Sequence, residues 1–331
     1  MPNYSDLILP KLSTSLPFIE GHADLVMPSY DGYGLANLPS SLCKWFGAEP
    51  LGIPLGAEVH GQLPPTFKRI VVLLVDALGY SQLVNAMDGG KAAYWRSSLD
   101  RAAFFPLTSV CPSTTATALT TLWTATTPNT HGIIGYEMWS KSLSMVINNI
   151  LHSPASYEGD IGSLVKAGFD PISYLDQEAL AQKLAYAGIE THVCLPRNII
   201  TSGLSQMHGV RANMHGYIAE SDLFATLRDL VNAPTEAKSL IYGYWSTNDT
   251  LMHRFGRSEE RRFGPADERV VQDFHAFSRA MEEVFFEGVD ERARKETLFL
   301  IIADHGAVAT PIRDEVNLAN HPQFTEMLRM A

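Results

Sequence analysis

Cysteine is scarce in this sequence: Cys43, Cys111 and Cys194 are odd in number and unclustered. That excludes a disulfide framework and a cysteine-rich zinc site, and leaves buried thiols as the plain reading. Cations are short too, Lys and Arg numbering 25 against 36 for Asp and Glu, for a formal net charge of −11. Charges of both signs are interspersed, so no broad groove for DNA or RNA is indicated, and an anionic ligand would need locally placed cations or metals. No run of about 18 apolar residues exists, so no membrane-spanning segment is expected. The start, Met1 to Asp6, lacks the basic residues and apolar stretch of a secretion signal, which makes a soluble, cytoplasmic protein the expectation. Repeats and low-complexity tracts are missing as well, and no pattern speaks to oligomeric state.

What is present is ample core material, with 46% hydrophobic residues in a chain of 331. Ile70 to Val75 is an unbroken apolar run ending at Asp76, which reads as a buried strand with a carboxylate at its tip. The same grammar recurs at Ser239 to Trp245, leading into Asn248 and Asp249, and at Leu298 to Ala303, leading into Asp304 and His305. Helical signals lie between. Asp176 is a candidate cap for a helix carrying Leu180 and Leu184, which Gly188 stops before a strand from Thr191 to Leu195. A second helix opens near Ser221 with Leu223, Leu227 and Leu230 inward. A third runs from about Pro265 with Val270, Phe274, Phe277, Met281 and Val284 at helical spacing. Such alternation predicts an α/β fold, a mostly parallel central sheet with helices on both faces. Ligands of such sheets gather beyond the carboxyl ends of the strands. We expect one catalytic α/β domain over 1–331, with an N-terminal extension of about 1–65, an insertion within 135–240, and a C-terminus that is truncated.

Taken singly, each candidate residue has a bland alternative. Asp76 could cap the following segment. Asp249 and His253, four apart, would share one side of a helix and could grip one ion, yet such pairs arise by chance. Asp304 and His305 would point to opposite faces of a regular strand, unless Gly306 lets the backbone turn. Together they form an oxygen and nitrogen donor set without thiolates, which suits zinc and also manganese. The hydroxyl-rich segment Thr108 to Leu122 contains a helix start, where backbone N–H groups and the dipole favour an anion such as phosphate. Hydroxyl-rich helix starts are also common caps.

The ordered set, Asp76, Pro112 to Thr115, Pro128 to Ile134, Asp249 with His253, then Asp304, His305 and Gly306, resembles the type I phosphodiesterase and nucleotide pyrophosphatase family of the alkaline phosphatase superfamily. The resemblance spans about residues 69 to 306. It implies an alkaline-phosphatase-like three-layer sandwich and a metal-dependent phosphate ester hydrolase acting on a small phosphorylated substrate. It makes Thr115 the nucleophile that becomes phosphothreonine, with Ser113, Thr114 and Thr117 as runners-up. It implies two divalent ions, zinc or else manganese: one held by Asp76, Thr115, Asp304 and His305, the other by Asp249 and His253. The family takes a third ligand for the second ion from a downstream His-Gly motif, whereas here His321 is the only His after His305. His321 is therefore the substitute candidate. His131, beside Gly132, reads as a turn anchor rather than a ligand. A phosphomutase or phosphonate hydrolase on the same scaffold, or a non-catalytic metal-binding relic or truncated fragment, are the competing readings. A sulfatase is disfavoured, because Cys111 is followed at once by Pro112 and position 115 is Thr rather than Arg. Arg197, Arg254 and Arg257 are candidate phosphate contacts. His208 and His215 form a weaker metal-binding candidate.

Overall fold

The computed structural model describes residues 5–12, 26–61, 63–156, 160–255, 267–308, 320–323 and 326. A strand with no polar alternation is stable only where both of its faces are covered, and Arg69–Val75 (β1) is buried along its whole length. The remaining strands are Glu137–Ser140 (β2), Met145–Asn148 (β3), Ser153–Pro154 (β4), Ile189–Pro196 (β5), Asn213–Tyr217 (β6), Lys238–Trp245 (β7) and Thr297–Ile302 (β8). Five of them make one sheet in the order β6-β5-β7-β1-β8. Every pairing in it is parallel. The other three form a small antiparallel sheet, β2-β3-β4. The expected parallel sheet is therefore present, and both β5 and β6 belong to it although they fall within 135–240.

Alternation along β1 feeds two cores. Ile70, Val72 and Leu74 join one apolar cluster, with the helices Leu38–Phe46, Thr115–Thr124, Leu180–Tyr186 and Gly203–His208 over that face. Val71, Leu73 and Val75 join the other, under Glu220–Asn232 and Glu268–Ala280. Burying each of these aliphatic side chains contributes about 1.5–3 kcal/mol, so both helical layers are held by the same central strand. Trp245, at the end of β7, stacks on Phe277 with centroids 3.9 Å apart. Among the described residues, no helix is long and apolar enough to cross a membrane.

Three details differ from the sequence-based expectation. The helix placed after Asp176 begins at Leu180, and its first turn is closed by the Ala179 N–H donating to Gln182 Oε1 at 2.8 Å rather than by an Asp176 cap. Pro265 lies outside the described residues, and that helix is opened by Asp267, whose carboxylate accepts the Arg269 N–H. Beyond Ala280 it widens into a π-helical turn, Met281–Phe286. Phe285 is buried on this turn, and Val284 is partly buried and packs against the same core.

Histidines are unusually deep in the first core. His152 is fully buried, in edge-to-face contact with Phe169 and Tyr174 at centroid distances of 5.2 and 5.5 Å, and neither ring nitrogen has a hydrogen-bond partner among the described residues. Gly203 lies flat against it: a Cβ there would fall 1.9 Å from the ring. Burial holds His152 and His131 down at about 4 and His208 at about 3. The unfolded chain takes up these protons below about 6.5, while the folded chain resists until much lower pH. Their contribution to stability is therefore intact above pH 6.5 and is lost as pH falls toward 4. We predict that the drop in urea midpoint between pH 6.5 and 4.5 is smaller in His152→Phe than in the parent chain. An unchanged drop would show that His152 is not kept neutral by burial.

Candidate active site

Three adjacent strands deliver the candidate residues to one edge. β1 lies between β7 and β8, and Leu74 is in register with Ile302, so Asp76 and Asp304, each two residues further on, fall side by side. Neighbouring strands are about 4.8 Å apart, which brings two like-charged side chains together before any side chain has chosen a rotamer. At Ala77 the chain turns through φ +57°, and its N–H donates to Asp304 Oδ1 at 3.0 Å. The N–H of His305 donates to the same oxygen at 3.0 Å. Gly306 also permits close approach: a Cβ on it would sit 3.1 Å from the Cα of Gly79, and the two loops meet glycine on glycine.

These bonds leave specific atoms over. Asp304 is fully buried, and its Oδ2 has no hydrogen-bond partner among the described residues. Asp76 accepts the Tyr244 hydroxyl on Oδ2, while its Oδ1 is buried, likewise without a partner among them. His305 Nδ1 lies 2.9 Å from the carbonyl of Gly306, which can only accept, so that nitrogen carries the proton. In the neutral ring, Nε2 then presents a lone pair to Asp76 Oδ1 at 3.5 Å and Asp304 Oδ2 at 3.6 Å. Thr115 Oγ1 is 3.2 Å from the same nitrogen. Lone pairs and carboxylates facing one another without a shared proton repel, and a cation among them removes the repulsion. The spacing fits: donors held about 2.0–2.2 Å from a tetrahedral ion stand roughly 3.3–3.6 Å from each other.

Asp249 and His253 lie on the helix Thr247–Phe255, with His253 Nε2 3.5 Å from Asp249 Oδ1. Asp249 is mostly buried and His253 is exposed. Asp76, Asp249 and His305 each offer a donor atom, all within 4.8 Å of one another, and among the described residues this is the one such group. Burial first, then the Asp304 and Asp249 carboxylates, push the Asp76 carboxyl well above its ordinary range, and the Tyr244 hydroxyl pulls it back. Asp249 is raised by burial as well, against the pull of His253. His321 is exposed and lies outside this group.

Thr115 is the first residue of its helix, Thr115–Thr124, with Thr114 before it in extended conformation. The first N–H groups of a helix have no intrahelical acceptor, so an anion near Thr115 meets them and the positive end of the dipole. Of the other hydroxyls, Ser113 is exposed, Thr117 is fully buried, and those of Thr114 and Thr117 have no partner. His131 anchors the following turn: Nδ1 accepts the Ile133 N–H at 3.1 Å, so Nε2 donates to Thr121 Oγ1 at 2.9 Å. His208 and His215 do not meet. His208 is 3.2 Å from Thr120 Oγ1, and His215 pairs with His192 at 3.1 Å. Arg197 and Arg254 are exposed, and Arg257 lies outside the described residues.

Sequence reasoning passed over three supporting groups. Tyr244 holds Asp76, the Ser109 hydroxyl donates to the Asp304 carbonyl, and Asn248 Nδ2 donates to the Asp76 carbonyl at 2.9 Å. None of the three carried a clear signal, since Tyr244 lies inside an apolar strand, where a tyrosine reads as core.

Comparison with known proteins follows the same direction. The sequence model described as type I phosphodiesterase / nucleotide pyrophosphatase matches residues 70–330. No curated protein sequence matches the chain significantly. Among solved structures, murine ectonucleotide pyrophosphatase / phosphodiesterase 5 is similar at 15% identity and TM-score 0.52, over 76% of this chain and 61% of that one. An inactive threonine-to-alanine variant of the murine protein, in complex with AMP, is similar at 12% identity and TM-score 0.52, over 76% and 60%. Phosphonoacetate hydrolase from Sinorhizobium meliloti 1021, in complex with phosphonoformate, is similar at 15% identity and TM-score 0.46, over 71% and 55%. The chain thus spans less than two thirds of the length of these structures. The likeness to the two murine structures bears on the fold alone, a mostly parallel central sheet with helices around it.

The Asp304 carboxylate also has a structural duty that can be tested without any assay. Asp304→Ala leaves the Ala77 and His305 N–H groups without their acceptor, at about 1–3 kcal/mol for each buried donor, whereas Asp304→Asn keeps an oxygen in place. Urea unfolding should therefore show a large loss for the alanine variant and a small one for asparagine. Equal stability of the two would contradict the bonding described.

Proposed function

The chain belongs to the type I phosphodiesterase / nucleotide pyrophosphatase family, and from that premise we propose that it is a metal-dependent hydrolase of phosphate esters working through a phosphothreonine on Thr115. The observation that carries the reading is the pair of buried, unpartnered oxygens, Asp76 Oδ1 and Asp304 Oδ2, facing the His305 Nε2 lone pair beside Thr115 Oγ1. The residues fit divalent cations: hard oxygens with imidazole nitrogen suit zinc, and manganese is the alternative. Asp76, Thr115, Asp304 and His305 would hold one ion, and Asp249 with His253 the other, His321 being the candidate third donor. When bound, zinc lowers the pKa of a coordinated hydroxyl and draws charge from phosphoryl oxygens.

The rest is done by the chain's own groups. The helix start at Thr115 receives the non-bridging oxygens of the phosphate, and its N–H groups favour the charge that builds up there. Thr115 Oγ1 forms a bond to phosphorus as the ester P–O bond breaks and the alcohol leaves. Water then cleaves the Thr115 Oγ1–P bond, restoring the hydroxyl and releasing the phosphate. Tyr244 and the two backbone N–H groups on Asp304 fix the carboxylates, so the donors need not reorganise during the reaction. That an alanine in place of a threonine inactivates the murine neighbour supports giving Thr115 this role. Its substrate would be a small phosphorylated molecule, in a cytoplasmic setting.

The test is Thr115→Ala, assayed on a nitrophenyl phosphodiester with the monoester and a sulfate ester alongside. Diester turnover should fall by at least about 10³-fold, while metal content stays nearly that of the parent. A chelator should silence the parent enzyme. Parent-like turnover in the alanine variant would remove Thr115 from the mechanism.

A further inference from the structure

Thr115 borders more than the metal-type cluster. The helix it begins presents Thr115, Leu119 and Trp123, four residues apart and therefore on one face, to the Tyr242 and Tyr244 side of β7. Between them is a partly open cavity of about 50 Å³, lined also by residues that include Val193 and Leu204. Two of its walls belong to the site itself: Thr115 is beside His305 Nε2, and Tyr244 holds Asp76. The cavity thus adjoins the reacting centre through these two residues.

We propose that this cavity is the subsite for the organic group of the substrate, and that it takes a short alkyl chain of two to three carbons. The size follows from comparison: an apolar protein cavity of about 150 Å³ accommodates benzene, so a third of that volume holds a fragment of two or three carbons. Leu119, Trp123, Val193 and Leu204 supply an apolar wall on which each methylene leaves water. A nucleobase exceeds this space. The subsite therefore directs the enzyme toward small alkyl phosphodiesters. The proposal rests on the reading of Thr115 as the attacking group.

Two measurements separate this subsite from the hydrolase reading. In the first, calorimetry on the zinc-loaded protein follows binding of methyl-, ethyl-, propyl- and butylphosphonate, which are not turned over. Affinity should rise about fourfold for each added methylene up to propyl and fall at butyl. Leu204→Phe should flatten the series, and Leu204→Ala should move its optimum to a longer chain. In the second, kcat/KM for nitrophenyl alkyl phosphates should follow the same order in the parent, and Leu204→Phe should flatten it. Chain-length-dependent binding without turnover upholds the subsite and overturns the hydrolase reading. Turnover with no chain-length dependence does the reverse. A binding series that is flat in the parent, or identical in both folded Leu204 variants, overturns the subsite.

Discussion

Repulsion among carboxylates is the constraint on which the rest of this structure turns. Parallel register sets Asp76 beside Asp304, and Asp249 is carried in on the helix Thr247–Phe255 that follows the adjacent strand β7. Three acids in a largely buried space are unstable as a set of anions, and burial already drives the Asp76 carboxyl toward its neutral form. The protein spends much of its local bonding on holding them there. Two backbone N–H groups fix Asp304, and a tyrosine hydroxyl fixes Asp76. Such bonding leaves chosen oxygens bare, which is the expected form of a site prepared for a cation.

The two apolar layers serve this arrangement. β1 is buried on both faces, so its end cannot drift relative to β7 and β8 without disrupting both cores. The helix that begins at Thr115 is tied down from the far side by buried neutral histidines, His131 through Thr121 and His208 through Thr120. Its first residue is thereby kept within reach of His305. Precision at the site is borrowed from the core.

Much of this could be read from the sequence because long-range order here follows from local pattern. Apolar runs at Ile70–Val75, Ser239–Trp245 and Leu298–Ala303 read as strands of a parallel sheet, although β8 forms its edge among the described residues, and acids at their carboxyl ends gather at one end of that sheet. What sequence could not supply was atomic. It could not tell that Asp304 uses one oxygen for structure and leaves the other bare, because that depends on the positive φ at Ala77 and the meeting of Gly79 with Gly306. Tyr244 was hidden inside its strand, where a tyrosine reads as core. The π-helical turn after Ala280 was invisible too, since a wider turn leaves no mark in composition or apolar spacing. The cavity beside Thr115 likewise depends on side-chain volumes across four elements.

The account is most directly tested by anomalous diffraction at the zinc edge from crystals of the zinc-loaded protein. It predicts a strong peak among Asp76 Oδ1, Asp304 Oδ2, His305 Nε2 and Thr115 Oγ1, with a second ion at Asp249 and His253. The absence of density among those four atoms at saturating zinc would contradict it.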